Sequence, residues 1–533
     1  MSVNYPYYPV TMTRRTPVFG RAAVATSQYL ATQAGLRILE KGGSAADAAI
    51  ATAAMLTLVE PTGCGLGSDA FAIVHDGEKV HGLNSSGRAP AAWTREFFEA
   101  KGGIPKRGWD AVTVPGVVRG WSALWQKFGK LPFESLFEDA ISQAERGFIV
   151  TPVVQKLWSR DHEILRDQPG FIKMFTENGH VPNVGQRFVN RGMADSFRAI
   201  AKTQGEDFYT GELAAKIIAF AKETGGSMTA ADLEAHQADW VDLLQMDFGE
   251  TTLYEIPPNG QGIAALIALN ILKHTSFDKW DGEDWRGTHL QIEAMKLAFS
   301  DLLAHVADPD YMAFDPARLL DPSYGAERAA LIDPNRAQVF GAGKPGGGGT
   351  VYLCAADEDG MMVSFIQSNY MGMGSGVSVP GTGIHFQNRG ANFTMEKGHP
   401  NEVAPMKRPF HTIIPGFITG ANGLRMATGV MGAFMQAQGH LQMLVRTQIL
   451  GQDVQTAIDA PRWRFMEGNQ VEVEEAFSQS LVQSLRDAGH DIKIIPWSEG
   501  LGFGGAQLIQ TLPGGGYVAG SDPRKDGMAL VLG

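Results

Sequence analysis

The run QYLATQAGLRILEK at 28–41 spaces its apolar residues at helical intervals, with Ser27 placed to cap its start and Gly42-Gly43 to end it. Ser44 stands ready to cap a second helix, AADAAIATAAMLTLVE, whose alanines suit close helix packing and which Pro61 stops. FAIVHDGEKVHGL at 71–83 alternates as two short strands joined at the turn dipeptide Asp76-Gly77. From about 117 to 245 the pattern is mainly helical, and 287–307 predicts a long helix with Leu290, Ala294, Leu297, Ala298 and Leu302 along one face. Periodicity then vanishes over PNRAQVFGAGKPGGGG at 334–349, which reads as a flexible loop. TVYLCAA at 350–356 predicts a buried strand, Asp357 to Gly360 a turn, and MMVSFIQSN the return strand. Strand patterns recur at 411–418, 424–428, 504–511 and 516–519, with a helix at 434–449. No internal repeat and no Pro- or Ser-rich linker divides the chain, so its one sharp compositional boundary is Gly349–Thr350.

Composition adds limits to this layered α and β pattern. With 533 residues, 44% hydrophobic and 19% charged, the chain can bury a large core, either as two or more domains or as one large layered domain. Net charge is 45 − 57 = −12 and no Lys/Arg-rich run occurs, which argues against a generic binder of nucleic acid or anionic membrane. Two cysteines, Cys64 and Cys354, supply neither a disulfide framework nor a Cys-based zinc site. The first twenty residues lack the apolar core of a secretory signal, so a cytoplasmic location is expected. The 64 glycines exceed the usual share, and composition alone assigns the surplus to loops.

Several chemistries fail on spacing. Lys344 precedes the tetraglycine instead of following it, and a strand comes next, so this is not a phosphate loop. Gly63-x-Gly65-x-Gly67 and Gly372-x-Gly374-x-Gly376 lack the strand-before, helix-after context of a dinucleotide site and read as tight loops. Neither a G-x-S-x-G elbow nor an H-E-x-x-H pair occurs. His411 is a base by type, but the favoured reading is a histidine hydrogen-bonded to backbone at a strand start. Thr350 is different. Cutting the Gly349–Thr350 bond frees an α-amine whose pKa near 8 suits a general base for the residue's own hydroxyl. Flexible glycines before the bond would admit the strained geometry in which Thr350 Oγ attacks the preceding carbonyl, and a plain linker is the competing account.

Family-level motifs sharpen this. GGSAADAAIA at 42–51, EPTGCGLGSDAF at 60–71, VTVPGVVRGW at 112–121, EAMKLAFSD at 293–301, GTVYLCAADEDG at 349–360 and GSDPRKDG at 520–527 occur in order. Over roughly 16–533 the chain thereby resembles the γ-glutamyltranspeptidase family of N-terminal-nucleophile hydrolases. The resemblance implies a four-layer αββα sandwich with a helical large-subunit extension. It also implies self-cleavage into a large subunit, 1–349, and a small subunit, 350–533, of roughly 38 and 20 kDa by proportional length. Thr350 would attack an amide carbonyl and form an acyl-enzyme, released to water or an amine. Gly432-Ala433 aligns with the family's oxyanion glycine pair, and the backbone donors survive the alanine. No cofactor or metal is implied. The expected partners are a small amide substrate and the two subunits of one precursor, with a dimer of heterodimers as the assembly considered, and neither nucleic acid nor membrane.

The donor site departs from the family. Ser368 aligns with the threonine that supports the nucleophile, and Tyr370 stands where many members have Asn. His411-Thr412 replaces a Ser-Ser pair, and Ser86 replaces an arginine, with Arg88 two residues away. Arg389 replaces a Gln, and Asn392 replaces the Asp that pairs with the substrate α-ammonium. Losing that carboxylate while adding Arg389 and Arg88 fits an acyl donor that carries an acid and lacks a free α-amine. The alternative is that these arginines pair with local acids. The SGRAP segment and His-Thr pair resemble the branch that includes oxamate amidohydrolase. A glutaryl-amide acylase, a γ-glutamyl hydrolase or transferase acting on glutathione, and an uncleaved binding protein remain as alternatives.

Overall fold

The computed structural model describes residues 15–280, 284–340 and 349–533, so Gly346–Gly348 of the tetraglycine lie outside the described residues. Two seven-stranded sheets form its centre. In spatial order the first runs Met528–Leu532, Ala22–Thr26, Gly349–Ala356, Met362–Tyr370, Asp69–His75, Val80–Ser85 and Asp239–Val241. The second runs Val18–Gly20, Tyr517–Ser521, Gly505–Thr511, Arg425–Met431, Gly416–Gly420, Thr251–Glu255 and Leu244–Phe248. Neighbouring strands in both are antiparallel.

The sheets pack face to face through Phe71, Tyr352, Ile366, Ile413, Phe417 and Ile509, which exclude water between them. Helices Tyr29–Glu40 and Ala45–Val59 cover the outer face of the first sheet. Ile263–Leu272, Trp285–His305 and Met435–Leu444 cover that of the second. Burial on both faces explains why the central strands read as continuous apolar runs and the covering helices as nearly all buried. This is the αββα sandwich, with the helical extension lying between strands Val80–Ser85 and Asp239–Val241.

Local signals hold in most places. Ser44 and Asp47 form a reciprocal capping box at the second helix. The first helix differs, because Gln28 caps it through its side-chain oxygen while Ser27 Oγ bonds Glu60 Oε2 at 2.5 Å, a contact 33 residues away in sequence. The hairpin turn spans Asp76 to Lys79, where the Asp76 carboxylate accepts from the amides of Glu78 and Lys79. Residues 411–415 lie outside the sheet, whose strand starts at Gly416, and only His411 makes an isolated bridge, to Gly260. The helix from Met435 turns π-helical over Val445–Ile449. Sequence patterning missed the small sheet Trp463–Glu467, Gln470–Glu474 and Asp491–Ile495, and the last strand, Met528–Leu532.

Candidate active site

Thr350 lies in the third strand of the first sheet, hydrogen-bonded on both sides by its neighbours. Gly349 pairs with Tyr370 and Val351 with Gln367, so a bulge sets Thr350 against two residues, Ser368 and Asn369. That extra residue aims Ser368 at the threonine: the two hydroxyl oxygens are 3.0 Å apart. Ser368 Oγ in turn accepts from the Tyr370 amide at 2.8 Å. Both hydroxyls are buried.

The 60–67 loop forms the floor. The Gly63 carbonyl accepts from the Asn369 amide at 3.0 Å, and a Cβ at Gly63 would fall 2.8 Å from Val351 Cγ1. Only glycine lets the loop lie this close to the backbone of Thr350. In front of Thr350 opens a cleft of about 280 Å³, lined by Glu60, Arg107, Arg160, Lys525, Gly432 and the apolar side chains of Leu157, Ile164 and Leu501.

Gly432 and Ala433 follow strand Arg425–Met431 in the left-handed half of backbone space, with φ of 134° and 54°. Neither amide donates a backbone hydrogen bond among the described residues, while their carbonyls accept from Met435 and Gln436 at the start of the next helix. Two unpaired N–H groups at a helix N-terminus, beside a hydroxyl, can stabilise an oxyanion. Gln261 Nε2, unnoticed in the sequence, holds this loop by donating to the Ala433 carbonyl at 2.8 Å and also to the Thr412 carbonyl.

Arg389 is fully buried at the start of a short 3-10 turn, Arg389–Asn392. Its Nη1 donates to Thr412 Oγ1 at 2.8 Å, and its guanidinium lies 4.8 Å from the centre of the Tyr370 ring. Nε and Nη2 have no partner among the described residues. Burial lowers the guanidinium to about 10, with Asp69 and Tyr370 opposing that shift. Asp69 is the acid sequence reasoning overlooked, although it stands in the 60–71 motif. Its Oδ1 accepts from the amides of Gly87 and Gly116, and its Oδ2 lies 3.0 Å from His411 Nε2. Burial pushes Asp69 up to about 7 and holds His411 well below its usual range, so the imidazole is neutral and donates to Asp69 when the acid ionises. His411 is therefore a tethered residue that fixes the neighbouring Thr412.

The remaining residues singled out in the sequence sit apart from the cleft. Ser86 Oγ donates to Asn84 Oδ1 at 2.8 Å. Arg88 donates to the Met406 carbonyl at 3.2 Å and lies 3.5 Å from Asp308 Oδ2, pairing with a local acid as the competing account has it. Asn392 Nδ2 is buried without a partner, and its carbonyl accepts from Asn401 at 2.6 Å.

Among the described residues one buried group, His289, Glu293 and His490, has metal-ligating chemistry. Lys296 Nζ lies 2.6 Å from Glu293 Oε1 and also donates to Asn469 Oδ1 at 2.9 Å and the Gln338 carbonyl at 3.0 Å. The ammonium already fills the cation's role, and a divalent ion beside it would leave excess positive charge buried.

Comparison with known proteins places this geometry. The family model described as Gamma-glutamyltranspeptidase matches residues 31–532. The chain belongs to the γ-glutamyltranspeptidase family. Among curated members of that family it is 35% identical over 517 residues to the glutathione hydrolase-like YwrD proenzyme of Bacillus subtilis, covering 96% of this chain and 98% of the relative. It is likewise 35% identical over 515 residues to the oxamate amidohydrolase proenzyme of Klebsiella pneumoniae, covering 94% and 96%. The crystal structure of a cephalosporin acylase from Bacillus halodurans superposes with a TM-score of 0.94 at 43% identity, covering all of both chains. The chain is an amidohydrolase or acylase of the γ-glutamyltranspeptidase family with the N-terminal-nucleophile hydrolase fold.

Proposed function

We propose that the protein is made as a precursor, cleaves itself before Thr350, and then uses Thr350 to hydrolyse the amide of a small acid. The observation that carries this reading is the 3.0 Å contact between the Thr350 and Ser368 hydroxyls beside the unpaired Gly432 and Ala433 amides. Cleavage turns the Thr350 nitrogen from an amide into an amine. That amine takes the hydroxyl proton as Oγ1 attacks the substrate carbonyl, and Ser368 orients the attacking oxygen. The oxyanion is received by the Gly432 and Ala433 N–H groups. Collapse expels the amine, which leaves with the proton, and water then releases the acid from the acyl-enzyme. The relatives' names as proenzymes support the first step.

The acid of the acyl group is recognised by Arg389, whose Nε and Nη2 are turned to no protein acceptor. A carboxylate there forms charge-assisted, bidentate bonds and adds to the partial compensation that Asp69 gives this buried cation. Arg88 is engaged by Asp308 and plays no part in this reading. An oxamate-like donor fits Arg389, but it leaves most of the cleft of about 280 Å³ empty. The cleft's apolar walls favour a second reading for the other half of the substrate, an acylase that releases a bulkier amine.

A denaturing gel tests maturation. Two bands near 38 and 20 kDa are expected in wild type, roughly as chain length divides, and one in Thr350→Ala. A single wild-type band that stays intact overturns the reading. Rates on oxamate, a glutaryl anilide and a γ-glutamyl anilide then rank the donors, and faster turnover of the γ-glutamyl compound overturns the argument from Arg389.

A further inference from the structure

Tyr370 is poorly explained by maturation or by acid recognition as described. It is a non-glycine residue with φ of 78°, in the left-handed region where bulky side chains are uncommon. Its ring stands over the Arg389 guanidinium, whose relative exposure is 0%. Its chain neighbours reach the cleft: Met371 and Gly372 line it, as does Arg107, which donates to the Met371 carbonyl at 2.8 Å, while Tyr370 itself lies behind that lining. The phenol feels the charge of both arginines, one beneath it and one on the cleft wall. The Tyr370 hydroxyl makes no hydrogen bond among the described residues, so none latches the ring.

Arg389 is thus set back from the cleft. Its unpaired nitrogens are buried, and Arg389 is absent from the cleft lining. The chain from Ser368, which touches Thr350, to Met371 on the cleft carries Tyr370, the ring packed on the guanidinium. Resting on the assignment of Arg389 as the acid receptor, we propose that the Tyr370 ring is a gate between the Thr350 cleft and Arg389, turning aside to admit the acid and limiting by its bulk how long an acyl chain fits. Closed, the ring shields the guanidinium by a cation–π contact; open, a carboxylate replaces that contact with stronger charge-assisted hydrogen bonds. Tyr370 is a specificity-determining residue and takes no proton in the reaction.

The test compares 4-nitroanilides of oxalic, glutaric and acetic acid in wild type and in Tyr370→Asn, Tyr370→Phe and Tyr370→Trp, with cleavage followed by gel. Asn tolerates the left-handed backbone, so it removes bulk with little strain. The glutaryl-to-oxalyl ratio of kcat/KM is expected to rise about tenfold or more in Tyr370→Asn, through KM, in keeping with the size of methylene discrimination in fitted pockets. It is expected to fall in Tyr370→Trp and to keep its wild-type value in Tyr370→Phe. A ratio that moves in neither the Asn nor the Trp variant overturns the gate. If Tyr370→Asn fails to fold or mature, the Trp and Phe variants still decide. The acetyl compound separates the two claims. Acid compounds that beat it in wild type, with the advantage lost in Arg389→Ala, uphold the receptor even when the gate fails; no acid advantage in wild type overturns the receptor and the gate with it.

Discussion

At the scale of single residues, the site is built from groups held slightly out of balance. Arg389 is a buried cation with one hydroxyl partner and two unsatisfied nitrogens. Its truncation is expected to spare self-cleavage and to cut kcat/KM for acid donors by roughly 100-fold, the worth of a hydrogen bond to a charged group near the top of its usual range. Steady-state kinetics on oxalyl and acetyl anilides check this, since only the former should change. Glu60, on the cleft wall, is a second case. Burial raises its carboxyl from the ordinary 4.5 to about 7. Between those values the folded protein keeps a proton that the unfolded chain has lost, so the group's contribution to stability falls as pH rises through that window and levels off above about 7. Glu60→Gln, which mimics the protonated acid, should match wild type in melting temperature at pH 4 and exceed it at pH 8, as read by differential scanning fluorimetry.

The helices and strands show what a sequence can carry. Ser44 marks its helix correctly because a capping box is local, complete within four residues. Ser27 misleads because its hydroxyl is claimed by Glu60, a partner brought near only by tertiary packing. Thr350 stands out from glycines followed by an apolar run, while the bulge that sets Ser368 against it depends on strand register. Asp69 and Gln261 escaped notice because their roles consist of hydrogen bonds to loops far along the chain. Arg88 and Arg389 looked alike by residue type and differ by environment: one faces Asp308, the other faces no acid within ion-pair distance among the described residues. At this scale too, the helix Trp285–His305 is joined to the Gln470–Glu474 region by Lys296, which reaches Asn469 from beside Glu293. Lys296→Met leaves Glu293 buried and uncompensated, and is expected to cost about 3–5 kcal/mol, seen as a large fall in melting temperature. Adding Glu293→Gln should recover part of the loss.

For the whole molecule, the order of strands carries the main consequence. The first sheet alternates between segments from either side of Gly349–Thr350: Met528–Leu532, then Ala22–Thr26, then Gly349–Ala356 and Met362–Tyr370, then Asp69–His75 and its neighbours. The second sheet likewise combines Val18–Gly20 and Thr251–Glu255 with strands from beyond residue 350. Two pieces woven in this manner share one core, so the cleaved protein should melt in a single transition, and differently tagged subunits should not exchange on mixing under native conditions. Native mass spectrometry of the mixture checks that outcome.

The same weave would make the proposed cut a one-way passage. Before it, strands from both halves find each other as parts of one tethered chain, and the search is independent of concentration. After it, an unfolded molecule has to recover its lost half by diffusion, so regain of activity should depend on dilution and fall far below that of the Thr350→Ala precursor's recovery of structure. Each molecule would then fold once with its halves joined, and its working life would end when that first fold is lost.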